Sequence, residues 1–431
     1  MRVQNDSQLY MLRKCSTAIS ILATIALILP VFSGYVLAFT MLLTQVTPKW
    51  RSLLKDCAKN SIKSPLSAWN IPIAVFLLTL ALATLISYSG SDQAGVKEGT
   101  RYLGNAIVKY GLLWLFMANF LWIGVRQFNV SGIIAGALGP IMSIHFVYCL
   151  FQRQFGIDWV HGFDAVLPLN RFAYDVYRVS GFSSHPLTLG YQLCFVFILS
   201  LFLASRPTID QFQRRSSMVA SVAVILTLAI SGSRGPFLVA LLSGIFVLLP
   251  KLSIKRLKIM TPISIIGVLL FWQMGLLKRF QEISWSGSGD SRVMDWKVHW
   301  SSFIDNPIFG LGPCGFKSAI LAYYTKFGGD AKIGLAHNMY LQILSEVGLL
   351  GFLGFVFWLS AWPKAMFDLR RNGGRHFIAA VFFAMLLSGV TQNSLRDSGV
   401  LFTLTLTTMV LTAVLTKESR ELNDYRSQST I

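Results

Sequence analysis

Acidic residues are scarce in this chain of 431 residues. Asp and Glu number 19 against 38 Lys and Arg, and charged residues make up only 13% of the sequence. Soluble domains carry roughly a quarter charged residues, so this composition argues against two or three ordinary soluble domains. The same apolar bias excludes an intrinsically disordered or collagen-like chain.

Cysteine is rare as well. The chain has 5 cysteines, with no C-x-x-C pair and no metal-ligand spacing, which excludes a disulfide scaffold and gives no sign of a zinc site. The motifs G-x-S-x-G, H-E-x-x-H and Walker A are missing too, which argues against a serine hydrolase elbow, a zinc protease and a P-loop. We therefore expect no bound metal and no cofactor.

Apolar residues, at 54% of the chain, collect in blocks. A bilayer-spanning helix needs roughly 17–25 mostly apolar residues, and the blocks lack the alternation of a membrane β-barrel. The sequence thus predicts an all-α, polytopic integral membrane protein of about 12 transmembrane helices in a single domain over residues 1–431. The blocks are 16–33, 34–47, 71–88, 105–125, 131–151, 186–205, 217–232, 235–250, 259–276, 341–363, 377–392 and 399–416.

The excess positive charge, formally +19, is distributed unevenly among the loops that connect these blocks. If the first residues are cytoplasmic and each block crosses the bilayer once, most Lys and Arg fall inside and every inside loop is basic. The charge therefore indicates topology rather than binding to nucleic acid, and it predicts two cytoplasmic termini. Two long loops, 152–185 and 277–340, then lie outside, where long loops tend to carry function.

Cationic residues mark these outside regions. Arg234, in Ser-Gly-Ser-Arg-Gly between two apolar blocks, is either an interfacial snorkeling side chain or a phosphate clamp at a helix start. Arg292 and Trp296 have the i,i+4 spacing that puts them on one helix face. The alternative for Arg292 is an exposed loop charge paired with Asp290 or Asp295.

Two histidines stand before apolar blocks. We expect His337 to begin a helix over 337–350, and a neutral imidazole there is a natural acceptor for a hydroxyl proton. Glu346, nine positions on, would face away from it on a continuous helix, so no dyad of the two is predicted. His185 is a second candidate, although Pro186 at a first helical position already explains that motif structurally.

These segments, in this order, resemble the O-antigen ligase and polymerase superfamily. The resemblance spans about 178–350. The matching segments are Arg178-Val179-Ser180-Gly181-Phe182-Ser183-Ser184-His185-Pro186, Ser231-Gly232-Ser233-Arg234-Gly235, Arg292-x-x-x-Trp296, Asn306-Pro307-Ile308-Phe309-Gly310-Leu311-Gly312, His337-Asn338-x-Tyr340-Leu341-Gln342 and Glu346-x-Gly348.

The resemblance implies a metal-independent, inverting glycosyltransferase of the GT-C type in a bacterial inner membrane. It would transfer a glycan from undecaprenyl diphosphate to a sugar hydroxyl on the periplasmic face. By this resemblance Arg234 and Arg292 bind the diphosphate and His337 is the catalytic base. The further substrate-binding candidates are Arg178, His185, Trp296, Asn338 and Glu346.

The acceptor is open at this point. The main interpretation is a ligase with a lipid A–core acceptor, and the closest alternative is a polymerase that extends a growing glycan. A lipid-linked oligosaccharide transporter would also be polytopic and basic, but its charge would be expected at the bilayer midplane.

Overall fold

The computed structural model describes residues 67–88, 91–112, 129–156, 158–160, 172–173, 176–248, 291–328, 335–369 and 374–429. Within these ranges the chain is helical apart from one short antiparallel pair, β1 (Phe172–Ala173) with β2 (Val176–Tyr177). The helices are α1 (Ser67–Tyr88), α2 (Gln93–Ala106), α3 (Val130–Phe155), α4 (Pro186–Ala204), α5 (Gln211–Ile230), α6 (Arg234–Leu248), α7 (Ser291–Asp305), α8 (Phe316–Lys326), α9 (Met339–Leu359), α10 (Ala361–Asp368), α11 (Arg375–Thr391) and α12 (Ser398–Ser429).

Five stretches of these helices are long and apolar enough to cross a bilayer. They are Trp69–Tyr88, Val130–Phe155, Pro186–Ala204, Met339–Asp368 and Ser398–Ser419. Two shorter apolar helices are Arg234–Val247 and Arg375–Thr391. The predicted helical, multi-pass membrane protein is thus confirmed, whereas the number of about 12 spans and the single domain stay predictions. The blocks 16–33, 34–47 and 259–276 lie outside the described residues.

The block at 105–125 differs from its prediction where it is described. The helix begins earlier, at Gln93, because Asp92 caps it by accepting a 2.8 Å hydrogen bond from the Gly95 amide. It then widens into a π-helix over Ile107–Leu112. The polar first turns hide this helix from a search for apolar runs.

The two long loops contain ordered structure. Between the end of α3 and the start of α4 lie the β1–β2 pair and the turn before α4. The second loop holds α7 and α8, which pack on each other through Val298, Phe316, Ile320 and Tyr324. Residues 161–171, 277–290 and 329–334 of these loops lie outside the described residues.

Helix α12 lies in the interior of the bundle, where α4 and α11 contact it. Every residue of its apolar window is buried, threonines included. Their hydroxyls donate to carbonyls one turn back, as in Thr403 to Gly399 at 2.8 Å and Thr416 to Thr412 at 2.7 Å. Hydroxyls bonded in this way need no partner outside the helix and can be buried with it, whereas the buried Thr408 hydroxyl has no hydrogen-bond partner among the described residues.

Helix α9 is broken at Gly348, which has φ 64° and ψ −164° inside an otherwise helical run. This backbone region is open essentially to glycine alone. The sequence predicted the block 341–363 as one uninterrupted helix. It could not show the break, because apolar composition carries no information on a single backbone angle.

The segment 306–312 fills the break. The carbonyls of Ser345 and Glu346, which would accept from residues 349 and 350 in a regular helix, instead accept from the amides of Leu311 and Gly312 at 2.9 and 3.0 Å. The amides of residues 349 and 350 donate in turn to residues 307 and 308, at 2.8 and 3.1 Å. Two helical hydrogen bonds are thereby replaced by four with the inserted segment. Non-helical backbone in a membrane span is tolerated where protein groups satisfy it in this way.

Replacing Gly348 by alanine should therefore destabilise the protein. An added Cβ would lie 2.4 Å from the Ile308 oxygen and 2.5 Å from the Gly310 nitrogen, both backbone atoms that cannot move aside. Together with the disfavoured φ we expect a loss of about 3 kcal/mol or more. The measurement is the apparent Tm of the detergent-solubilised protein.

Gly104→Ala is the matched control, because it lies in α2 with nothing within 4 Å of the added Cβ. A helical Gly→Ala change there should hold or slightly raise the Tm. Equal Tm values for the two variants would contradict the proposed role of the break.

Candidate functional site

The sequence-predicted polar residues gather at one end of the helices. Arg234 opens α6, His185 and Asn338 cap α4 and α9, and His337 directly precedes that second cap. The opposite end of α4 carries a different interaction, an ion pair of 3.2 Å between Arg206 and Glu418. The candidate site is therefore built from helix starts, where the positive end of the helix dipole favours anions.

The turn before α6 is tightly bonded. Gly232 has φ 66°, and the Ser233 amide donates to the Ser231 hydroxyl at 3.2 Å. The Ser233 carbonyl accepts from the Phe237 amide as the first helical bond, also at 3.2 Å. Arg178 reaches this turn from the segment before α4, where its Nη2 donates to the Ser233 hydroxyl at 3.1 Å. One guanidinium is thus held at the start of the helix that Arg234 opens.

Tyr191 connects this turn to α11 and to α7. Its hydroxyl is hydrogen-bonded to the Thr391 hydroxyl, and a Cβ added at Gly235 would lie 3.1 Å from it. Arg178 and Arg292 both lie within electrostatic range of the same hydroxyl. Arginines from two distant parts of the sequence therefore share one neighbourhood with the start of α6.

His337 is held from the C-terminal end of α11. Its Nδ1 is 2.8 Å from the Gln392 amide oxygen, and its backbone lies in the left-handed region with φ 47°. Since an amide oxygen only accepts, Nδ1 donates the hydrogen and Nε2 keeps its lone pair. Gln392 follows Thr391 directly, so the His337 contact and the Tyr191 contact are made by neighbouring residues.

The helix after His337 starts later than predicted. Asn338 is its N-cap and accepts from the amides of Tyr340 and Leu341 at 3.0 and 3.1 Å, so α9 begins at Met339. The predicted start at 337 was wrong by two residues, because Asn338 is the capping residue and His337 before it has a left-handed backbone. The amide oxygen of Asn338 is occupied by this cap.

His185 has a capping contact as well. Its Nδ1 accepts from the Leu187 amide at 3.1 Å, and Pro186 occupies the first turn of α4. The structural interpretation of this motif is confirmed. Any binding role for His185 stays a prediction.

Arg292 and Trp296 lie on α7, one turn apart and both exposed, as their spacing predicted. Asp295, between them in sequence, is buried and accepts a 2.5 Å hydrogen bond from the Tyr324 hydroxyl of α8. That contact joins the buried face of α7 to α8. Arg292 and Trp296 lie on the exposed face of α7.

Glu346 belongs to a separate contact. Its carboxylate, with a side chain only 6% exposed, pairs with Arg396 at 3.2 Å, and Gln342 donates to it at 3.4 Å. Arg396 and Gln392 are functional candidates that the sequence reasoning missed. A signal was available, since the polar run Gln392-Asn393-Ser394-Leu395-Arg396-Asp397 separates two apolar blocks.

His299 is a third residue that the sequence reasoning missed. It is fully buried on α7, and its Nδ1 lies 2.6 Å from the Ser345 hydroxyl of α9. Burial lowers the pKa of His299 from 6.5 to about 3, and His337 adds a smaller effect of the same sign. The neutral imidazole thus joins the helix that carries Arg292 to the helix that follows His337.

Acid should weaken this junction. Unfolded His299 binds a proton below its ordinary pKa near 6.5, whereas the folded residue stays neutral to about 3, so stability falls as pH falls through this window. The loss reaches about 1.4 kcal/mol per pH unit. Between pH 7 and 4 the apparent Tm should drop less steeply for His299→Asn than for the wild type. Parallel pH profiles of the two proteins would refute this contribution.

Among the described residues, no group of three His, Cys, Asp or Glu side chains is placed to hold a metal ion. The side chains gathered at this end include guanidiniums, hydroxyls and imidazoles. Such a set can bind an anion and accept a proton.

A comparison with known families finds one that fits this arrangement. The model of the O-antigen ligase family matches residues 219–356, which include Arg234, Arg292, His337 and the broken helix. None of the curated proteins matches the chain. Residues 219–356 are thus similar to the O-antigen ligase family, in agreement with the resemblance of the ordered motifs to the O-antigen ligase and polymerase superfamily.

Proposed function

We propose that the protein is an O-antigen ligase. It transfers a glycan from undecaprenyl diphosphate to a sugar hydroxyl of a lipid A–core acceptor, with inversion and without a metal. The reaction takes place at the periplasmic face of the bacterial inner membrane, and both termini are cytoplasmic. The sequence-based topology supports this orientation, because it puts the starts of α6 and α9 outside.

One observation carries the proposal: two hydrogen bonds lead from His337 to the neighbourhood of Tyr191, and two arginines act electrostatically on the Tyr191 hydroxyl. His337 bonds Gln392, the neighbouring Thr391 bonds Tyr191, and the Tyr191 hydroxyl lies within electrostatic range of Arg178 and Arg292. Gly235, next to Arg234, approaches the same hydroxyl. The geometry supports a single site with a cationic side and a proton-accepting side.

The cationic side suits the leaving group. When the bond between the sugar and the diphosphate breaks, negative charge grows on the diphosphate oxygens. Arg234 and Arg292 stabilise that charge, because guanidiniums form bidentate, charge-assisted hydrogen bonds with phosphate. The helix start at Arg234 adds the positive end of the helix dipole.

The imidazole suits the acceptor. As the acceptor hydroxyl attacks the anomeric carbon, His337 Nε2 takes its proton. Gln392 supports this step, since it accepts from Nδ1 and thereby fixes the tautomer with a free Nε2 lone pair. The new glycosidic bond forms as the bond to the diphosphate breaks, and lipid diphosphate leaves.

Replacing Arg234, Arg292 or His337 by alanine should abolish glycan transfer. Loss of one fixed charge-stabilising group costs about 10²–10³ in rate, and loss of a general base about 10²–10⁴. The readout is glycan-bearing lipopolysaccharide in cells that express each variant. Membrane insertion and protein abundance should match the wild type.

Arg215→Ala is the matched control, because Arg215 is exposed near the start of α5, at the opposite end from Ser231. It should retain full transfer. Full activity in all three site variants would rule out the proposed site.

The closest alternative is a polymerase of the same superfamily, with the same donor chemistry and a growing glycan as acceptor. A gene deletion separates the two. For a ligase, gel analysis of surface glycan should show lipid A–core without polymer, while polymer accumulates on undecaprenyl diphosphate. Single repeat units left on lipid A–core would instead identify a polymerase.

The transporter interpretation is less well supported. A position of His337 far from Arg234 and Arg292 would favour it, whereas hydrogen bonds through Gln392 and Thr391 lead from His337 towards Tyr191, on which Arg292 acts electrostatically. The cation-rich helix starts also lie at one end of the bundle rather than midway along it.

A further inference from the structure

A cavity lined by charged, aromatic and apolar side chains lies next to residues that neighbour His337 and Gln392. It has a volume of about 360 Å³, within the usual range for small-molecule sites, and is formed by α1, α2, α9 and the stretch after α11. The charged and aromatic side chains that line it are Glu98, Arg101, Tyr102, Lys109, Glu346 and Arg396. Arg178, Arg234 and Arg292 are not part of its lining.

One face of α2 supplies most of these groups. Residues 98, 101, 102 and 105 follow helical spacing on α2, and Lys109 continues the lining from the π-helix that follows, so these side chains project into the same space. Hydrogen bonds between residues distant in sequence join this side of the cavity to the stretch after α11. Lys109 donates to the Arg396 carbonyl at 3.0 Å, and Tyr110 donates to the Leu395 carbonyl at 3.0 Å. The polar face of α2 and the stretch after α11 thus form the walls of one cavity, and hydrogen bonds hold them together.

The cavity touches the residues that hold His337. Gln342 lines it and accepts from the Ala336 amide, next to His337, at 3.0 Å. Asn393 lines it too and follows Gln392, the partner of the imidazole. The buried Nδ2 of Asn393 has no hydrogen-bond partner among the described residues, so a donor at this edge is available to a ligand.

The charges of the cavity point to its ligand class. Three cations, Arg101, Lys109 and Arg396, stand with two carboxylates, Glu98 and Glu346. The carboxylates would repel a diphosphate. A sugar is compatible with side chains of both charges, because each hydroxyl donates to a carboxylate and accepts from a guanidinium or ammonium. Tyrosine rings offer the amphipathic surfaces against which a sugar ring can pack.

The position of the cavity points to the acceptor rather than the donor. In an inverting displacement the base and the attacking hydroxyl lie on the face opposite the leaving group. The arginines are linked to the Gln392 region through Thr391 and Tyr191, whereas the cavity borders it at Asn393 and has none of these arginines in its lining. We infer that this cavity binds the outer sugar of the lipid A–core acceptor and presents its hydroxyl to His337. The inference rests on the proposed ligase function.

The test separates acceptor binding from donor binding. The full-length protein in detergent micelles is assayed with lipid-linked glycan and lipid A–core, both extracted from the source bacterium lacking this gene. Glu98→Gln and Arg101→Ala each remove one charged contact to the sugar. Both should raise the KM for lipid A–core by about tenfold and leave the KM for the lipid-linked glycan unchanged.

Lys97→Ala is the matched control, since Lys97 is an exposed cation on α2 outside the cavity lining. It should leave both KM values unchanged. Glu98→Gln keeps the shape of the side chain, so the test survives if Arg101→Ala fails to fold.

The two proposals fail in different ways. An unchanged KM for lipid A–core in both cavity variants, or a rise in the KM for the lipid-linked glycan instead, would overturn the acceptor site and leave the ligase function standing. No transfer to lipid A–core by the wild-type protein would overturn the ligase function itself.

Discussion

The insertion of residues 306–312 into the broken helix α9 is the interaction on which the site depends. Four backbone hydrogen bonds join the two segments around Gly348, and they replace two that a regular helix would make. Because backbone bonds are directional and close together, they fix both the position and the rotation of the inserted segment. The end of α7 leads directly into that segment, so the register of the whole helix is set at the break.

Side-chain contacts also constrain the positions of the candidate catalytic residues. His299 of α7 bonds Ser345 of α9, so the helices that carry Arg292 and follow His337 are joined a second time. At the other side of His337, Gln392 holds the imidazole from the end of α11. The candidate base is therefore positioned between two helices, and its strained φ of 47° is maintained by groups on both.

Sequence reasoning reached the helices more readily than the contacts between them. Apolar blocks predicted the bounds of α1, α3, α4, α6 and α11 closely, because burial in a membrane demands a long run of apolar residues. Sequence reasoning missed the residues that bond to the predicted site residues. Gln392 and Arg396 bond residues 55 and 50 positions away, and no local pattern encodes such a pairing.

The motif residues were recognised by resemblance, yet their physical reasons differ. Gly310 and Gly348 are required because their added Cβ atoms would meet backbone at 2.7 Å or less. Asn338 caps a helix, and Glu346 pairs with Arg396 at the cavity. A motif read in sequence thus mixes residues that shape the backbone with residues that are candidates for chemistry, and the contacts distinguish them. The catalytic roles of Arg234, Arg292 and His337 stay predictions.

The burial of α12 has a consequence for assembly. Its neighbours α4 and α11 precede it in the chain, and proteins are synthesised in chain order. Until α12 is inserted, the surfaces of α4 and α11 that pack on it must face lipid or one another. Gln392 and Arg396 lie just before α12, so the groups that hold His337 and border the cavity reach their final positions only as the bundle closes. The candidate site is consequently among the last parts of the described structure to form during biosynthesis.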